Sequence, residues 1–575
     1  MHDSLFIGPH GENSVFLQDI WSELLQRTLE HRQTTFAGDG TLPVSQPGPT
    51  ERQQMQQGIE EFFAILQREV PTFSNRYLGH MISDISIPAL IGNIAVLFCN
   101  PNLASQETAK AGVFFETRAI NILAEMLGMD PSSARGHFTS GGTVANFEAF
   151  WRARYRLDHW LSMAAWLLES NKSNDSIFNL AHQGWSAFYS AKATHSIEEH
   201  QLRDRSYVIR GPWDIANYYR EVLGRDFPQP VILVPGNKHY SWPKSANVFG
   251  ISENAIWATD LDRYGRIEID SLRENIEKAR SEERPIMMTV SVAGTTELGS
   301  VDPVDEVNEL LREYREQQNI HIWHHVDAAY GAYFCSTFRR GASALNERAV
   351  RAFADLPQVD SITLDPHKLG FVPYACGAFL VREARSYSVS NISAPYLSAE
   401  PDVTYPTWST TLEGSRGATG AGAVWLSSQV LPLDASGHGA ILNQAVEMHH
   451  RFEHRLRQEV PDIHLLDAGD TNIIAFVLAT EGSGLRQVNE NTERLVTRFQ
   501  ESPNFAVTRT ALGLNSYRLL IENTVSGWNG VADDEYLLVV RMVIMSPYLT
   551  DKDTNENLMN AFITELEALR QDATG

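Results

Sequence analysis

Short apolar, β-branched runs recur through the middle of the chain, and stretches with apolar residues at helical spacing separate them. Residues 231–234, 286–292, 320–326, 361–364 and 376–381 read as strands. Residues 270–279 and 304–317 between them read as helices, as do 51–69, 144–156 and 419–430. Residues 108–129 form an amphipathic helix pattern, with Val113, Thr117, Ile120, Leu123 and Leu127 on one face. This alternation predicts an α/β fold, a mostly parallel sheet with helices on both faces. Residues 1 to about 50 are weakly patterned and end in a loop, GDGTLPVSQPGPT. The region 157–225 is Trp-rich and polar, breaks the rhythm, and reads as an insertion of helices and loops. Beyond Pro432 the pattern changes to a smaller α+β unit, with strands expected at 473–478, 517–521 and 537–545 and a closing helix at 555–570. The expected division is an N-terminal helical segment 1–105, a large domain 106–432 and a small domain 433–575.

The length of 575 residues allows a large core, and the net charge of -24 argues against nucleic-acid or anionic-membrane partners. Cys99, Cys335 and Cys376 form neither a CxxC nor a metal-ligand spacing, which predicts a reducing, cytoplasmic setting and no metal. The N-terminus lacks a basic region followed by an apolar run, so no signal peptide is expected. The longest apolar stretch, 87–98, is too short to span a bilayer, contains Asn93 and reads as a buried segment.

Within this frame one constellation carries chemistry. The strand 361–364 ends in Asp365-Pro366-His367-Lys368, and the run from His321 to Ala329 ends in HVDAAYG. A lysine at one strand end and an aspartate at a neighbouring one suit a pyridoxal 5'-phosphate (PLP) site: the amine condenses with the aldehyde, and the carboxylate keeps the pyridine nitrogen protonated. An exposed lysine is not expected between two apolar strands, and a desolvated amine has the lowered pKa that suits such chemistry. Small Ala328 and Ala329 beside Asp327 leave room for a flat ring. Upstream, Thr139-Ser140-Gly141-Gly142-Thr143 precedes a helix, where glycines and a helix N-terminus favour an anion. His239, in GNKHYSW, follows a strand and is a candidate to stack on the ring. Thr295 and Thr296, in VAGTTELG, stand at another strand end. Arg541 interrupts the apolar run LLVVRMVIM and is expected to face a carboxylate, because a buried unpaired charge is costly.

Taken together these residues resemble the group II PLP-dependent amino-acid decarboxylases, with the nearest likeness to bacterial tyrosine decarboxylases. The likeness is carried by CNPNLAS at 99–105, FTSGGTVANFEAFWRARY at 138–155, HVDAAYGAY at 325–333, SITLDPHKLGFVPYACGAFLV at 361–381 and LEGSRGATGAGAVWLSSQVLPL at 412–433. It implies fold type I, a homodimer with active sites at the subunit interface, and decarboxylation of an L-amino acid, aromatic and tyrosine-like, to its amine. It further implies that Lys368 is the Schiff-base lysine and Asp327 the pyridinium partner. His239 and Ala329 would take the two faces of the ring, with Thr296 near it. Gly142, Thr143 and His367 would hold the phosphate, and Arg541 the substrate carboxylate. Tyr396, in SAPYLSAE within a Ser-, Pro- and Ala-rich segment expected to form a mobile lid, would protonate the substrate carbon after CO2 leaves. Asp365 departs from the pattern, since many relatives carry a neutral residue there. The competing readings are a decarboxylase of an acidic amino acid such as glutamate, a PLP carbon–carbon lyase of the sphingosine-phosphate lyase type, and a PLP-binding paralogue without turnover.

Overall fold

The computed structural model describes residues 2–35, 44–390 and 409–573. A seven-stranded sheet is built from β1 (Arg135–Thr139), β2 (Val231–Pro235), β3 (Ile256–Thr259), β4 (Ile286–Val292), β5 (His324–Asp327), β6 (Ser361–Leu364) and β7 (Gly377–Val381), in the order β1-β7-β6-β5-β4-β2-β3. The strands from β6 to β3 run parallel. β7 is antiparallel to both β6 and β1, so β1 shares the direction of β6. The apolar runs are continuous rather than alternating because both faces are covered: β2, β4, β5, β6 and β7 are buried along their whole length.

Register then levels the strand ends. Val292 pairs with Asp327, Asp327 with Thr363, and Thr139 with Gly377 next to the Leu364–Ala378 pair. The carboxyl ends of β1, β4, β5 and β6 therefore lie along one edge, where an open α/β sheet offers its crevice.

A second, antiparallel sheet comprises β8 (Ile463–Leu465), β9 (Ile473–Leu478), β10 (Thr508–Gly513) and β11 (Tyr536–Val543), in the order β10-β11-β9-β8. The segment 517–521, expected as a strand, lies instead in the helix Leu514–Ser526. Its buried residues Tyr517, Leu520, Ile521, Thr524 and Val525 recur at three- and four-residue spacing, which over so short an apolar run looks the same as a strand. The strand is the preceding Thr508–Gly513, too polar to announce itself.

The N-terminal segment is built of helices, and its apolar stretch departs from expectation. The weakly patterned opening contains a helix, α1 (Ser14–Thr34), and no residue of it is buried. The same holds for α2 (Pro49–Leu66). The apolar stretch 87–98 is a helix, α3 (Ile87–Cys99), buried only in part: Ile87, Ala89, Ile91 and Val96 pack inward, whereas Leu97 and Phe98 are exposed. Apolar length predicts burial only if the chain has a partner surface for every face, and this one does not. α4 (Lys110–Leu127) follows, and α5 (Gly142–Glu169) runs well past the predicted end at Arg156. Among the described residues no helix is long and apolar enough to cross a membrane.

Candidate active site at the carboxyl edge of the large sheet

A cavity of about 310 Å³ opens on that edge, and Gly142, Thr143, His239, Thr296, Asp327, Ala329, His367 and Lys368 all line it. These positions come from five separate stretches of chain. The first turn of α5 follows β1, and His239 follows β2. Thr296 follows β4, Asp327 ends β5 with Ala329 just beyond it, and His367 and Lys368 follow β6.

Lys368 Nζ stands 3.2 Å from Asp365 Oδ2. Asp365 is buried, and its Oδ1 finds no hydrogen-bond partner among the described residues. Burial pushes the Asp365 carboxyl up to about 6, against the opposing pull of Lys368. His367 accepts the Cys376 N–H at Nδ1, 3.2 Å away. The ring proton is thereby assigned to Nε2, which lies 3.5 Å from Asp365 Oδ2. Burial, with Lys368 adding to it, lowers His367 to about 4, so the ring is a neutral donor near pH 7. The ring stacks on Tyr374 at 3.9 Å.

Asp327 is held by a residue that the sequence did not single out. Asn146, one turn into α5, donates from Nδ2 to Asp327 Oδ2 at 2.7 Å and to Ser241 Oγ at 2.9 Å. His239 Nδ1 accepts the Ser241 N–H at 3.3 Å, and as an acceptor it also takes the Ser241 hydroxyl proton at 2.9 Å. On the other side Asn146 Oδ1 faces His325 Nε2 at 3.2 Å, and His325 Nδ1 contacts Ser361 Oγ at 2.8 Å. One network therefore orients both Asp327 and His239. The four-residue spacing from Gly142 to Asn146 was the available signal, since it puts both on one helix face.

Arg541, on the central strand β11, is buried but forms no ion pair among the described residues. Its guanidinium donates to Thr296 O at 2.6 Å and to Thr508 Oγ1 at 3.2 Å, and meets His80 Nδ1 at 3.2 Å. Among the described residues no direct ion-pair partner supplies the expected carboxylate. Polar atoms satisfy the donors, beside the exposed cavity residue Thr296, and Glu297, which lines the same cavity, is the carboxylate whose charge reaches the guanidinium without a direct ion pair. Tyr396 lies outside the described residues.

The residues present fit PLP. A Cβ on Gly142 would meet Ala329 Cβ and Asp365 Oδ2 at 3.0 Å, and one on Gly377 would meet Gly141 Cα at 2.5 Å. Only glycine at both positions keeps the first turn of α5 open to an anion. An amine and a hydrogen-bonded buried carboxylate line the same cavity, at the strand ends where such ligands bind.

Residues 225–479 match the pyridoxal-dependent decarboxylase conserved domain. The chain is 26% identical to an L-tyrosine decarboxylase of Enterococcus faecium, over 98% of this chain and 97% of that protein. It is 27% identical to an L-tyrosine decarboxylase of Levilactobacillus brevis, over 84% of this chain and 80% of that one. Among solved structures, mouse CSAD superposes with a TM-score of 0.65 at 17% identity, covering 96% of this chain and 99% of that chain.

Proposed function

We propose that this chain, which belongs to the pyridoxal-dependent decarboxylase family and is a PLP-dependent amino-acid carboxy-lyase, acts on tyrosine or a closely similar aromatic amino acid. The aromatic choice is supported by the tyrosine decarboxylases to which the chain is similar along nearly its whole length. The observation that carries the reading of the site is one cavity edge that holds Lys368, Asp327 and the glycine-opened start of α5 together.

In this reading Lys368 holds the cofactor through its amine, and Asp327 keeps the ring nitrogen protonated. Gly142, Thr143 and His367 hold the phosphate. His239 and Ala329 cover the ring faces, and Thr296 stands beside them. When bound, the cofactor supplies the electron sink that accepts the pair released as CO2 leaves. Asn146 fixes the Asp327 carboxylate by donating to Oδ2, so its charge is aimed rather than averaged. Neutral His367 gives its Nε2–H without adding charge. Arg541, which has no direct ion-pair partner among the described residues, binds the substrate carboxylate and so places the scissile bond. Tyr396 remains the proposed proton donor to the substrate carbon, from the family resemblance.

The homodimer is part of the same reading. Met55, Ile59, Phe62, Phe63, Ile65 and Leu66 of α2 are exposed, as are Leu97 and Phe98 of α3. A stripe of this kind is what one copy offers another. The experiment that tests the function is a screen of the twenty amino acids for amine and CO2 with PLP present. Tyrosine, or another aromatic amino acid, should give stoichiometric amine and CO2 at the highest kcat/KM. Turnover confined to acidic amino acids overturns the substrate assignment.

A further inference from the structure

We propose that Asp365 takes up a proton when the cofactor binds, and that the resulting neutral carboxyl donates a hydrogen bond to the cofactor phosphate. The inference rests on the seating of the phosphate at Gly142, Thr143 and His367 described above. Asp365 lies within that cup. Its Oδ2 is 3.0 Å, and its Oδ1 2.8 Å, from where Cβ atoms on Gly142 and Gly377 would sit, so the carboxyl is wedged between the start of α5 and the start of β7. It is 3% exposed, and Oδ1 has no partner among the described residues. A buried oxygen without a donor, beside the place of an anion, is a poor site for a carboxylate and a good one for a hydroxyl.

The groups that face Asp365 do not supply enough positive charge to keep two anions there. From its own loop come Lys368 and His367, and the latter ring is neutral. From the end of β5 comes Asp327, a second carboxylate, and from the loop after β2 comes His239, whose ring burial keeps neutral. Tyr333, Tyr374 and the Cys376 thiol complete the surroundings, and all three are held protonated by burial, with Asp365 adding to it. Lys368 is the one cation of this set, and it is the amine that engages the cofactor aldehyde. Without any phosphate the carboxyl already titrates at about 6. A phosphate dianion in the same cup would drive it further up, because two like charges crowded into one buried site do not both ionise. The balance is simple: one proton leaves solvent and forms the O–H bond of Asp365, and no electrons move.

The test uses the full-length apoenzyme and 4'-deoxypyridoxine 5'-phosphate, a cofactor analogue with no aldehyde, so that Lys368 condensation does not enter. Its dissociation constant is measured between pH 6 and 9 for the native protein and Asp365→Asn, whose amide donates at every pH. The titration of the analogue's own phosphate cancels in the ratio. The native-to-variant ratio should be near one at pH 6 and rise roughly tenfold per pH unit above pH 7. Calorimetry of the native protein in buffers of different ionisation enthalpy should show about one more proton taken up than in Asp365→Asn. The same analogue without its phosphate should give a flat ratio. A ratio that stays constant with pH, or equal proton uptake by both proteins, overturns the proposal while leaving the phosphate seating intact. Equal affinity of the phosphate-bearing and phosphate-free analogues for the native protein overturns the seating itself.

Discussion

Asn146 donates to Asp327 across 2.7 Å, and with its other amide proton it reaches Ser241, which in turn meets His239. Asp327 and His239, the proposed partners of the ring nitrogen and of the ring face, are therefore set by one side chain in the first turns of α5. Asn146→Ala leaves Asp327 Oδ2 without this donor. A hydrogen bond to a charged group is worth about 1.5–3 kcal/mol, so kcat should fall roughly 10- to 150-fold if the loss falls on the transition state. PLP content should remain near native. Steady-state kinetics with cofactor quantification checks this, and an unchanged kcat removes Asn146 from the network's function.

Lys368→Ala should abolish decarboxylation and leave PLP reversibly bound through its phosphate. After borohydride treatment, intact-mass analysis should show the cofactor fixed to the native chain and absent from the variant. Native turnover in the variant would sink the Schiff-base assignment.

Arg541→Met removes a buried cation whose direct hydrogen-bond partners are all neutral. Losing a charged partner of a ligand carboxylate costs about 2–4 kcal/mol, which is roughly 30- to 1,000-fold in kcat/KM. The rise should fall largely on KM, with the visible spectrum of bound PLP unchanged. If KM stays native, the arginine is a structural residue of β11.

Burial pushes His324 and His325 down to about 3. The unfolded chain binds a proton at each near pH 6.5, whereas the folded chain does not. Between pH 6.5 and 3 the unfolded state thus carries more protons, and the stability these residues contribute is lost as pH falls through that window. The slope is at most about 1.4 kcal/mol per pH unit for each group. His325→Gln removes one group from the titration. Its Tm deficit relative to the native protein should shrink between pH 7.5 and 5. A deficit that is constant over this range contradicts the buried neutral histidine.

Charging the apolar stripe of α2 tests the dimer. Obligate interfaces commonly bury more than about 2,000 Å² and tolerate isolated buried charges poorly. Light scattering of the native protein should give twice the chain mass, and Phe62→Glu combined with Phe63→Glu should shift it toward one chain mass. An active native monomer would overturn the inference.

The α/β class was legible in the order of residues, because strands covered on both faces must be apolar throughout, and runs such as 231–234 and 286–292 have no other cheap location. It also singled out Lys368, Asp327 and Gly142, which the fold brings to one cavity, since strand ends and helix starts leave a local signature of residue types. Local pattern failed where burial was settled by distant neighbours. The segment 517–521 is a helix because one face meets the second sheet, and no residue of α1 is itself buried. Only the tertiary structure decided what each charge faces. The register of β4, β5 and β6 brings strand ends far apart in sequence to one edge. The approach of α5 gives Asp327 its donor, and the wedge of Asp365 between Gly142 and Gly377 sets that carboxyl's affinity for a proton. Electrostatic character depends on distance and burial, and neither is written in the order of residues.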